Sequence, residues 1–212
     1  MRHSASAGPT KHTMPEIPPP SRPKRRTREL QRHRVSIPGA RYFLTLRFQG
    51  ITPQTVKNEA VGRFYKPVRL IAAELTDKQD WRIQCAVLMP DHLHMLVTLG
   101  SRLTVSQCVA KFKTGIRQNS SLVAFHHFAW QDNFFEHRLR PEEDSESYAR
   151  YIFLNPYRAG LLARQEIWPW WWSETEHRWA FEAHLEDGHF PLTEWLADDD
   201  KNIQSLMGAG ES

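Results

Sequence analysis

The chain has 212 residues, 40% of them hydrophobic and 25% charged, with a net charge of +4; this suits one domain of ordinary size plus tails and suffices for a real core. No run approaches the ~18 apolar residues of a membrane helix and the N-terminus lacks an apolar signal core, so a cytoplasmic protein with no membrane contact is expected. Cys85 and Cys108 are the only cysteines and both lie in apolar patterns, which excludes a disulfide framework or a cysteine zinc site.

The charge is unevenly placed. Residues 1–34 hold nine Lys/Arg against two Asp/Glu, and residues 181–212 hold one against eight. The first segment is proline-rich and then arginine-rich, with Arg25, Arg26, Arg28, Arg32 and Arg34 near its end. It cannot bury enough apolar surface to offset the entropy of ordering, so residues 1–34 are expected to be a disordered basic arm. Such arms meet phosphate backbones or stay solvated. The remaining boundaries are a domain at 35–180 and an acidic tail at 181–212, loosely attached from about Gly188.

The first element is a strand over 41–48, with Tyr42, Leu44, Leu46 and Phe48 on its core face and Phe43, Thr45 and Arg47 on the other. From 54 to 75 a looser stretch containing Gly62 and Pro67 leads into a helix carrying Val68, Leu70, Ile71, Ala72 and Leu75. Two apolar runs then flank Pro90-Asp91, a pair suited to a tight turn, and predict a hairpin ending near Leu99-Gly100. His92 and His94 open its second strand. Side chains two apart on a strand share a face, so the imidazoles stand together, whereas a helix would splay them by about 200°. Two neighbouring imidazoles begin a metal site or an acid/base pair; alone, they read rather as half-exposed histidines on an ordinary strand.

Thr104 is placed to cap a helix whose stripe is Val105, Cys108, Val109, Phe112 and Ile116. Its Lys111, Lys113 and Arg117 either follow a nucleic-acid backbone or form a solvated face. After Trp130-Gln131, a short strand ends in His137, Arg138, Leu139 and Arg140, where phosphate contact and surface placement are both open. Glu142 and Glu143 begin another helix, biased to end at Asn155 by Pro156. Tyr151 and Asn155 are four apart and share a face; Tyr148 lies about 60° away. The run Trp168-Pro169-Trp170-Trp171-Trp172 reads as core folded over the sheet or as a surface for stacking bases. Strand, helix, hairpin, helix, strand describes an α+β domain, an antiparallel sheet with helices on one face.

If the Tyr151 helix meets the His92 strand, a divalent ion can take both imidazoles and the Asn155 oxygen, leaving positions for phosphate and water. Tyr151 is then the nucleophile candidate, since tyrosine can form covalent intermediates. Val87-Leu88-Met89-Pro90-Asp91-His92-Leu93-His94-Met95-Leu96, then Trp130-Gln131 with Phe134-Phe135-Glu136-His137-Arg138-Leu139-Arg140, then Tyr151 through Leu161 with Trp168-Pro169-Trp170, together resemble REP-associated tyrosine transposases. These are domesticated relatives of the single-strand insertion-sequence transposases of the His-hydrophobic-His class, and the resemblance covers about residues 33–175. It implies a ferredoxin-like sheet with the histidines on a central strand, and a C-terminal helix delivering one catalytic tyrosine. It also implies metal-dependent cleavage of single-stranded DNA beside palindromic hairpins through a 5′-phosphotyrosine. By position, His92 and His94 match the metal pair, Tyr151 the nucleophile and Asn155 the third ligand, with Mg²⁺ or Mn²⁺ as the ion and a monomer or homodimer as the assembly. The basic segment before the first strand resembles the part that reads DNA beside the hairpin. Asp91 departs from the Asn of many relatives and is expected to point away from the metal pair. A hairpin-binding protein without chemistry, or a small metal-binding protein, are the competing readings.

Overall fold

The computed structural model describes residues 35–49, 58–119, 129–174, 178–197 and 203; the expectations for the basic arm at 1–34 and for the end of the acidic tail lie outside them. Among the described residues the elements follow in order: β1 (Arg41–Arg47), α1 (Asn58–Asp77), β2 (Trp81–Leu88), β3 (His92–Leu99), α2 (Val105–Gln118), β4 (Phe135–Arg138), α3 (Ser145–Arg158), β5 (Trp171–Ser173) and α4 (Thr193–Ala197), with a 3₁₀ turn at Ala180–His184 before α4. The sheet is antiparallel throughout, in the order β4-β1-β3-β2-β5. A crossover through α1 carries the chain from β1 to β2, and β3 returns between them, the split βαβ arrangement of ferredoxin-like folds. The expected α+β class and central histidine strand therefore hold.

One face of the sheet presents Tyr42, Leu44, Leu46, Leu93, Met95 and Val97 to α1 and α2. Helix α1 supplies Val61, Phe64, Val68, Ala72 and Leu75 to that core, three or four residues apart as a helical stripe requires. It runs unbroken through Pro67, so the looser stretch expected before Val68 is already helix from Asn58, and Leu70 lies on its exposed side. Gly115 lets α1 and α2 approach closely, since a Cβ there would meet Ile71 at 3.0 Å. Thr104 caps α2 through a reciprocal pair with Gln107, which satisfies amides the first turn leaves open.

The helices expected on a single face occupy both. Helix α3 covers the second face, where Tyr148, Ala149, Tyr151 and Ile152 join Phe43, Cys85, Val87 and Leu96. The reason is that the sheet has two apolar faces, and β1 is buried on both from Tyr42 to Leu46. A register shift between Ile83 and Cys85, with Gln84 as the extra residue, turns Cys85 and Val87 to the α3 side. Asp144 caps α3 at Ser145, slightly later than Glu142, and the helix continues through Pro156 to Arg158, because Leu154, Pro156 and Tyr157 are all buried there.

Trp168 and Trp172 are buried, and the Trp168 indole donates to the Leu88 carbonyl at 3.1 Å; this segment is core, with β5 as an added edge strand. The described part of the acidic tail is folded too: Phe181 and Ile203 are buried with α3, and Trp195 and Leu196 pack beside them. Apolar residues spaced among acidic ones anchor the segment despite its charge. No helix among the described residues is long and apolar enough to cross a membrane.

Candidate active site

The connection from β2 to β3 is closed by the Met89 amide donating to the His92 carbonyl at 2.8 Å, with Pro90 and Asp91 at its tip. The Asp91 carbonyl accepts the Phe48 amide at 2.8 Å, fastening the turn to the end of β1. From here the pleat takes over. His92 stands across from Arg47, and His94 across from Thr45 on β1 and Val87 on β2, all on the α3 side of the sheet.

Each imidazole has its Nδ1 engaged. His94 Nδ1 lies 2.9 Å from the Thr45 hydroxyl oxygen, and His92 Nδ1 lies 2.7 Å from Asp91 Oδ1. The rings meet edge to face with centroids 4.3 Å apart. Burial, reinforced by the repulsion a protonated His94 would meet from a protonated His92 and from Arg47, pushes the His94 imidazole well below its ordinary pKa, so its neutral form, with a lone pair to offer, is favoured. Burial favours the neutral form of Asp91, but its hydrogen bond and charge interaction with His92, together with Arg47, hold the carboxyl below the usual range.

Helix α3 delivers Tyr151 onto this pair. Its ring centroid is 5.9 Å from that of His94, and it packs edge-on against Phe43 at 6.0 Å. Phe43 in turn stacks on His94 at 5.3 Å and touches Tyr148 at 5.6 Å, so one side chain of β1 packs between Tyr148 and His94 while Tyr151 meets His94 directly. The Arg158 guanidinium lies 5.9 Å from the centre of the Tyr151 ring, and its Nη2 donates to the Trp195 carbonyl at 2.9 Å. Asn155, one turn beyond Tyr151, is half-buried.

Tyr148 is differently placed. Its hydroxyl donates to Glu143 Oε1 at 2.8 Å, and the same oxygen lies 2.7 Å from His137 Nε2. Burial, and then Glu143, push the Tyr148 phenol far above the ordinary tyrosine value, which makes it a poor source of phenolate. His137 is thereby committed to joining β4 to the start of α3.

Residues 51–153 match the family model described as IS200-like transposase. That stretch, just under half of the chain, is similar to IS200-like transposases. A REP-associated tyrosine transposase from Escherichia coli (strain K12) is 22% identical over 165 residues, covering 78% of this chain and 90% of that protein. The solved structure of a REP-associated tyrosine transposase bound to a REP hairpin superposes with a TM-score of 0.53 at 22% identity, over 66% of this chain and 79% of that one. The likeness in structure carries the fold.

The matched stretch includes His92, His94 and Tyr151 and stops before Asn155. Among the described residues no group of three or more His, Cys, Asp and Glu side chains gathers as a metal cluster; the donors at this site are the imidazoles. His92 Nε2 is buried and has no hydrogen-bond partner, an arrangement that fits a cation better than an apolar pocket, because a buried lone pair without a partner is costly.

Other residues read as DNA contacts are not brought here. Lys111, Lys113 and Arg117 belong to α2, beneath the opposite face. Lys111 Nζ bonds the fully buried Asp80 at 2.5 Å, and Lys113 Nζ donates to the Gln131 carbonyl at 2.6 Å. Arg138 pairs in register with Tyr42 and shares its face, while Arg140 is exposed beyond β4. Arg25, Arg26, Arg28, Arg32 and Arg34 lie outside the described residues. Sequence reasoning missed Thr45, Arg47 and Asp91 as members of the site. Thr45 and Arg47 had a signal, polar residues alternating with Phe43 on the strand face beside the histidines.

Glu143 also gives the domain an acid sensitivity. Burial opposes its ionisation, but the Arg140 amide, Tyr148 and His137 outweigh that and hold its carboxyl below the usual value. A carboxyl depressed by folding stabilises fully above its unfolded pKa of about 4.3, and that stabilisation fades as pH falls through the folded value. Glu143→Gln is therefore expected to lower the unfolding midpoint at pH 6–7 and to flatten its fall below about pH 4, read by denaturation across pH. An unchanged acid limb would remove Glu143 from the account.

Proposed function

We propose that this chain cleaves and rejoins single-stranded DNA beside a palindromic hairpin, with Tyr151 as nucleophile and Mg²⁺ or Mn²⁺ as cofactor. The observation that carries the proposal is the meeting of two strand imidazoles with one helix tyrosine, at ring separations of 4.3 Å and 5.9 Å. The hairpin substrate is taken from the relative whose structure was solved with one.

Nε2 of His92, Nε2 of His94 and the side-chain oxygen of Asn155 would hold the ion, whose chemistry is to polarise a phosphodiester oxygen. The Tyr151 oxygen attacks phosphorus and its proton passes to water, while the 3′ oxygen departs and takes a proton from water, leaving a 5′-phosphotyrosyl bond and a free 3′-OH. The energy of the broken ester is kept in the new one, so reversal rejoins strands without a nucleotide. Arg47, with its side chain 44% exposed beside His92, supplies positive charge where the strand enters. Arg25, Arg26, Arg28, Arg32 and Arg34 neutralise phosphates flanking the hairpin.

The test incubates the full chain with hairpin oligonucleotides bearing single-stranded flanks and resolves the products on a denaturing gel. An adduct with Mn²⁺ or Mg²⁺ that vanishes with EDTA is expected. Salt-dependent hairpin binding that yields no adduct with either metal overturns the enzyme reading in favour of a binding module.

A further inference from the structure

The Asp91 carboxylate is divided between two neighbours. Oδ1 lies 2.7 Å from His92 Nδ1, and Oδ2 lies 4.0 Å from the Arg47 guanidinium. Its backbone is held as well, through the carbonyl that accepts the Phe48 amide. Carboxylate and imidazole are both largely enclosed, with 15% and 13% of their side-chain surfaces exposed. A carboxylate only accepts hydrogen bonds, so the Nδ1 it faces must carry the proton. The neutral ring then has its lone pair at Nε2, the buried atom that has no partner in the protein.

We propose that Asp91 is a positioning residue: it fixes the tautomer and the ring orientation of His92 so that Nε2 presents its lone pair to a divalent cation. The inference rests on the two-histidine metal reading above and adds a residue to it. His94 is set the same way by Thr45 Oγ1, which can donate as well as accept, so the carboxylate beside His92 is the stronger constraint of the two. Outer partners of this kind are worth about 10–100-fold in metal affinity.

The test uses the full chain with ¹⁵N-labelled histidine. In metal-free wild-type protein, long-range ¹H–¹⁵N correlations are expected to show His92 protonated at Nδ1; protonation at Nε2 overturns the proposal without any variant. In Asp91→Ala the proton is expected to spread over both nitrogens, and the Mn²⁺ affinity, read from the free-ion electron spin resonance signal, to fall about 10–100-fold. Asp91→Asn keeps an acceptor oxygen and is expected to stay within about 3-fold of wild type. An Asp91→Ala protein that retains the Nδ1 proton, or binds Mn²⁺ as wild type does, overturns the role of Asp91 alone. Wild-type protein that binds no Mn²⁺ overturns the metal site itself.

Discussion

Tyr151→Phe is expected to abolish the covalent protein–DNA adduct and to cut strand cleavage by about 10³-fold or more, the scale seen when a nucleophile is removed. The substitution takes away one hydroxyl and leaves the ring, which is 4% exposed and packed against Phe43 and His94. Tyr148→Phe is the matching control. It loses the hydrogen bond to Glu143, costing about 1 kcal/mol of stability, but retains the adduct, because a phenol bonded to a carboxylate and pushed upward is the less reactive of the pair. An adduct that persists in Tyr151→Phe and disappears in Tyr148→Phe would reverse the assignment.

Phe112→Ala should do the opposite and remove stability while sparing chemistry. Phe112 is fully buried, with its ring 5.5 Å from that of Trp81 and 6.3 Å from that of Trp130. Truncation loses the transfer energy of the ring and leaves a cavity that those large neighbours cannot collapse into, about 3–5 kcal/mol in all. Against a domain stability of roughly 5–15 kcal/mol that is a major loss. Urea unfolding should show a much lower midpoint at an unchanged slope. Because α2 lies beneath the sheet face opposite the histidines, the fraction still folded in the cold should form adduct normally. A loss below about 1 kcal/mol would mean the site relaxes, contrary to close packing.

The pairing of His92 with His94 was legible from a period of two, and the shared helical face of Tyr151 and Asn155 from a period of nearly four, because both follow from geometry within one element. The capped stripe of α2 was legible for the same reason. The face taken by α3 was not. Its buried residues run almost continuously from Tyr151 to Leu154, so no stripe pointed to one side, and the register shift at Gln84 that makes the second apolar face has no sequence signature. Asp91 was misjudged because strand alternation was extended into a turn: the pleat begins at His92, and the residue before it can swing back onto the imidazole. Lys111 illustrates a third limit. Its partner Asp80 is 31 residues earlier, and a charge on a helix face does not reveal whether an acid lies buried below it.

Strand β3 is bonded along both edges, to β1 and to β2, whereas α3 meets the sheet through side chains alone. The two halves of the site therefore keep different time. Amides of Leu93–Val97 should exchange with solvent only through global opening, while α3 can breathe in smaller excursions. The imidazoles are the fixed anvil, and local movement at the site is expected on the side of the helix that carries Tyr151.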